Sequence, residues 1–166
     1  FIVSAPLSEA ATLWEKFVAA GALPAGTSAW QWLDITAGLP GVTVPVQEEF
    51  VAQMLNFDLI GGVSFNKGCY PGQEIVARTH YLGKLKKRMY RVHVDVDAPP
   101  AIGSDVFAPD FGEQSAGKVV SVAPAPEGGF DALVVLQTSS ADAARAHLGS
   151  PAGPALSFLP LPYALG

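Results

Sequence analysis

The run from residue 89 to residue 97 constrains the fold more than any other stretch. Tyr90, Val92, Val94 and Val96 alternate strictly with Arg91, His93, Asp95 and Asp97. Successive side chains of a strand point to opposite faces, so a period of two marks an antiparallel strand with one face in a core and the other in water. His93, on the polar face, is expected to be a solvated strand residue. Pro- and Gly-rich turns divide the rest of the chain into short apolar runs at 105–108, 117–123, 130–137 and 155–159. A short helix over 141–147, capped by Ser139 or Ser140, is expected between the last two. Strands of this length and spacing predict a small sandwich or barrel.

Upstream of residue 84 the pattern is different. Residues 1–5 read as the tail of a strand. Ser8 then caps a helix in which Ala10, Leu13, Trp14, Phe17 and Val18 share one face, expected in the core, and Gly21 is the stop. Residues 29–35 alternate well enough for a strand with Trp30, Trp32 and Asp34 on one face. Two indoles and an acid could line a pocket for a flat heterocycle or lie between two packed layers; the second is the commoner use of tryptophan. Residues 46–55 have room for a helical turn or two. The tandem glycines Gly61 and Gly62 mark a bend or a close backbone approach.

With 166 residues, 49% of them hydrophobic, the chain can bury a core in one or two domains. A single cysteine excludes an intramolecular disulfide and fits a reducing compartment, so a cytoplasmic location is expected. No apolar run reaches about 18 residues, so no membrane partner is expected. The first residue is Phe1 rather than Met and opens what reads as the inside of a strand, as in a piece of a longer protein. A net charge of −5 and the lack of an RNP-like aromatic pattern argue against nucleic acid, and make an RNA-binding module the weakest reading. Yet seven of the ten lysines and arginines, and only Glu74 of the fifteen acids, lie between Lys67 and Arg91. Such a segment either welcomes an anion or keeps a turn solvated.

Inside that segment stands Lys67-Gly68-Cys69-Tyr70-Pro71-Gly72-Gln73-Glu74. Pro71 and Gly72 are a turn signal, and Gln73 onward opens a helix on which Glu74 and Arg78 are spaced to pair. Cys69 is therefore expected just ahead of a helix N-terminus, where free N–H groups, the helix dipole and nearby Lys67 would favour a thiolate. A lone cysteine is more often a small buried hydrophobe. The polar, glycine-rich company of this one points to a functional thiol.

The octapeptide resembles the K-G-C-Y-x-G-Q-E signature of the YgfZ family of folate-binding proteins, relatives of the aminomethyltransferase (T-protein) of the glycine cleavage system. Residues 50–56, 61–65 and 77–80 are similar to the flanks of that signature. The resemblance covers the whole chain, but only as the C-terminal half of the family. It implies an α+β fold, with residues 1–83 as the C-terminal part of ferredoxin-like, α+β lobes and residues 84–166 as a small antiparallel β-barrel. It implies tetrahydrofolate, or a derivative, as cofactor in a central channel, with Lys67, Gly68, Tyr70, Gly72, Gln73, Glu74 and Arg78 among its contacts and Cys69 as the functional thiol. No metal site is implied. The implied partners are the folate, iron–sulfur enzymes or assembly proteins, and the missing N-terminal part of the same protein. One thiolate is too few to own a cluster, so Cys69 would touch a cluster, a persulfide or a partner's cysteine transiently. The basic segment suits a folate's anionic tail. The expected function is therefore a tetrahydrofolate-binding accessory protein for assembly or repair of iron–sulfur enzymes. The alternative is a folate-dependent aminomethyl- or methyltransferase of the T-protein type, whose catalytic acid would lie outside this chain, so enzyme status stays open.

Overall fold

The computed structural model describes residues 2–83 and 85–165, apart from the side chain of Leu82. The first residue of the expected opening strand, Phe1, and Lys84, the first residue of the expected barrel, lie outside the described residues, as does Gly166.

The upstream part is helical: α1 (Leu7–Ala19), α2 (Thr27–Thr36), 3-10 turns at Val44–Val46 and Ala52–Leu55, and α3 (Gln73–Leu82). Six strands follow: β1 (Lys87–Val94), β2 (Asp105–Phe107), β3 (Ser115–Pro124), β4 (Phe130–Gln137), then after the short helix α4 (Thr138–Asp142), β5 (His147–Leu148) and β6 (Ser157–Leu159). They pair antiparallel in the order β5-β2-β3-β4-β1-β6. The sheet curls until its ends meet. Leu148 N–H donates to Pro154 O and Leu156 N–H to Ala146 O, each at 2.9 Å, while 157–159 pair with 91–93 of β1. Residues 154–159 thus hold both edges and make the sheet barrel-like. The expected combination of helices with an antiparallel barrel-like sheet is what the chain forms.

Two apolar layers hold it together. Inside the curl lie Val92, Val94, Val106, Val119, Val134 and Leu136. On the outer face Met89, Val120, Leu133 and Val135 meet Ile35 and Leu55 from the helical part. β4 is covered on both sides, so residues 131–136 are all buried. This double cover explains its continuous apolar run, where a half-exposed strand would alternate. Gly117 of β3 is required by close approach: a Cβ there would run into Val135 O.

Five expectations are corrected. Residues 2–5 are exposed and form no strand. α1 starts at Leu7 with Pro6 in the cap position, so Ser8 lies inside the helix and caps nothing. Its apolar face is not core; none of its residues is buried, and Trp14 and Phe17 are 57% and 47% exposed. Residues 29–35 are helical. Trp32 and Ile35, three apart, face the sheet, whereas Trp30 is 51% exposed, because a flat sheet face selects the i, i+3 pair out of an ambiguous pattern. Finally, α4 follows directly on β4, with Ser139 and Ser140 inside it and Ala144 at φ 49 beyond its end. His147 is thereby released to pair with Phe107 of β2.

Candidate functional site

The motif loop is folded back onto α3. Gln73 N–H donates to Tyr70 O at 3.2 Å, and Gly72 sits at φ 81, ψ −2. That is the type II turn, in which proline presets the second position and the third must have positive φ. The Gln73 side chain closes the same turn from its other side, its Oε1 accepting Tyr70 N–H at 3.2 Å. Upstream, Phe65 stacks on His80 at 3.8 Å between ring centroids, and Tyr81 packs edge-on to His80. The loop is therefore fixed to α3 near both helix ends.

Cys69 is exposed and stands one residue ahead of this turn, three before the cap residue Gly72. Lys67 Nζ lies 4.5 Å from the centroid of the Tyr70 ring, a cation–π contact that gives this lysine an aromatic partner beside Cys69. Gly68 and Gly72 are surrounded by open space, so only the backbone of Gly72 demands glycine. Glu74 and Arg78 are both exposed on α3. They do not pair; the ion pairs among the described residues are Arg88–Asp58, Arg91–Asp131, His93–Asp131 and Lys118–Glu49. Two of the seven basic residues of the segment, Arg88 and Arg91, are thus engaged within the chain.

Beneath the motif helix the support is polar. Gln53 Nε2 donates to Val76 O at 2.6 Å. Arg88 of β1 binds the Gln53 carbonyl at 2.9 Å and Asp58 in two-pronged fashion at 2.7 and 3.1 Å. Asn56, at φ 60, uses its side-chain amide on both the C=O and the N–H of Met89, at 2.8 and 3.4 Å. A cleft of about 420 Å³ opens here between Gln53, Asp58, His80 and Arg88.

A larger cleft, of about 730 Å³, lies at the other end of β1, between Trp32, Arg91, His93, Glu127 and Asp131. The Asp131 carboxylate accepts from Trp32 Nε1 at 3.0 Å and Arg91 Nη2 at 2.8 Å, with His93 Nδ1 at 2.9 Å. Burial pushes this carboxyl up, but the bonds from Arg91, His93 and Trp32 outweigh it and hold it below the usual carboxylate range. His93 is thus a partner of a buried acid, where a solvated residue was expected. The readable signal was an acid, Asp131, inside an otherwise apolar strand. Among the described residues no cluster of three or more His, Cys, Asp or Glu could hold a metal ion, and no helix is long and apolar enough to cross a membrane.

Helices packed on a barrel-like antiparallel sheet, with a Lys-Gly-Cys-Tyr-Pro-Gly-Gln-Glu loop clamped to the helix that follows it, define the class. No family model matches the chain. Among curated proteins it is 36% identical over 139 residues to the tRNA-modifying protein YgfZ of Sodalis glossinidius, covering 82% of this chain and 42% of that protein. It is 35% identical over 140 residues to the protein of that name from Colwellia psychrerythraea (83% and 43%), and 33% over 138 residues to that of Yersinia enterocolitica (82% and 42%). The chain is of the YgfZ type, matches the C-terminal half of these relatives, and spans less than half of their length.

Proposed function

We propose that the chain is the C-terminal half of a tetrahydrofolate-binding accessory protein for the assembly or repair of iron–sulfur enzymes, with Cys69 as its working thiol. The observation that carries this reading is the exposed Cys69, held at the head of a loop that the Tyr70–Gln73 turn clamps to α3. It is the only cysteine of the chain, so it acts in contact with a client's cluster, persulfide or thiol rather than by owning a cluster. Exposed Lys67, Glu74 and Arg78 and the ring of Tyr70 are the folate contacts this half contributes. The relatives' designation as tRNA-modifying proteins enters through an iron–sulfur client that acts on tRNA. A direct grip on tRNA is disfavoured by the net charge of −5 and by the internal pairing of Arg88 and Arg91.

The upstream half of the protein completes the site. Among the described residues, nearly all the exposed large hydrophobic side chains, including Leu7, Trp14, Phe17, Leu23 and Trp30, belong to residues 2–44; Ile75 and Tyr81 are the exceptions. A surface of this kind is what an adjoining lobe covers, and α1 and α2 are read as belonging to a ferredoxin-like lobe finished by upstream strands. The protein works in the cytoplasm on this reading.

The test is Cys69→Ser in the full-length protein. A serine hydroxyl is neither a thiolate at neutral pH nor able to carry a persulfide. Folding and tetrahydrofolate binding are expected to persist while iron–sulfur enzyme activity is lost in cells that depend on the protein. Full restoration of that activity would remove the thiol from the mechanism and leave a folate-dependent transferase of the T-protein type as the better reading.

A further inference from the structure

We infer that Gln53 is the positioning residue of the motif, the side chain that fixes α3 and through it Cys69; this rests on the reading of the Cys69 loop as the working site. No described side chain of α3 is buried; Gln73, Val76, Ala77 and Thr79 are only half-buried. A helix with no fully buried side chain has little packing to hold its position. What fixes the helix is the bond from Gln53 Nε2 to Val76 O, in the middle of α3, at 2.6 Å. Gln53 itself is 2% exposed. Its Oε1 is buried with no hydrogen-bond partner among the described residues, an arrangement that an apolar side chain of the same length would avoid. The glutamine is therefore explained by its donor. The base of the tie is rigid, because Arg88 and Asn56 pin the 3-10 turn Ala52–Leu55 to β1. The far end is rigid as well. Three residues before Val76, Gln73 grips Tyr70, the neighbour of Cys69.

Gln53→Met in the full-length protein removes the donor and the orphaned oxygen together at nearly constant volume, and Gln53→Leu, which likewise has no donor, supplies the same readouts if the first does not fold. Amide exchange over 73–82 is expected to accelerate about tenfold while that of β1 and β4 stays unchanged, and the rate of iodoacetamide alkylation of Cys69 is expected to shift with it. Unchanged exchange in α3 would overturn the inference. So would equal acceleration throughout the sheet, which a merely structural role produces. Neither readout depends on the thiol's part in iron–sulfur chemistry, which Cys69→Ser tests separately.

Discussion

His93 on β1 and Asp131 on β4 stand directly opposite each other in the sheet register, with His93 Nδ1 2.9 Å from Asp131 Oδ1. The same carboxylate, 5% exposed, takes Arg91 from β1 and Trp32 from α2. One acid therefore joins two neighbouring strands to the helix that covers them.

Asp131→Asn removes the charge but not the shape, and leaves the Arg91 guanidinium, 14% exposed, without its counter-ion. Breaking one side of a buried pair costs about 3 kcal/mol. Urea unfolding at neutral pH is expected to show a lower midpoint by that amount, with an unchanged slope.

The same group sets an acid limit. Its carboxyl is held low in the folded state, so its contribution to stability is present above the unfolded value of about 3.9 and is lost as pH falls through the folded one. Wild type is expected to lose stability steeply below about pH 4, and Asp131→Asn to show a flatter profile there. Urea midpoints measured across that range distinguish the two; parallel profiles would refute the assignment.

Trp32→Phe keeps a ring against the sheet and deletes one donor to Asp131. The expected loss is about 1 kcal/mol. In the Asp131→Asn background it should shrink, because the two positions share one interaction; a double-mutant cycle by thermal or urea unfolding reads the coupling.

Two glycines should respond on different scales. Gly72→Ala meets no atom within 4 Å but must hold φ 81, at a cost of about 1 kcal/mol felt in the turn and the start of α3. Gly117→Ala drives a methyl against Val135 O in the β3–β4 ladder and is expected to abolish the native sheet. Circular dichroism melts, with amide exchange in the motif, separate the local from the global effect.

Five of the six strands were readable because alternation, apolar runs and Pro/Gly turns are local facts; β5 was not, since the expected helix over 141–147 ran into it. The strict alternation from Tyr90 to Val96 locates β1, and Pro71-Gly72 locates the turn that Gly72 adopts. α2 was not readable: the alternation of residues 29–35 hides the Trp32–Ile35 spacing that the sheet face selects. The apolar stripe of α1 announced a helix correctly but not what covers it, since cover depends on other parts of the protein. Gln53–Val76 and Trp32–Asp131 join residues 23 and 99 positions apart. No local pattern encodes such meetings, and the polar support of both clefts is made of them.

The segment 154–159, which bonds to β5 at one end and to β1 at the other, carries a meaning for biogenesis. A nascent chain emerges with β1 first, and until the final strand leaves the ribosome that strand offers an open row of N–H and C=O groups to any neighbour. The sheet is sealed by the last of its own strands to be made. A message or protein cut short of it would yield a product with two adhesive rims, prone to join other chains edge to edge rather than to fold alone.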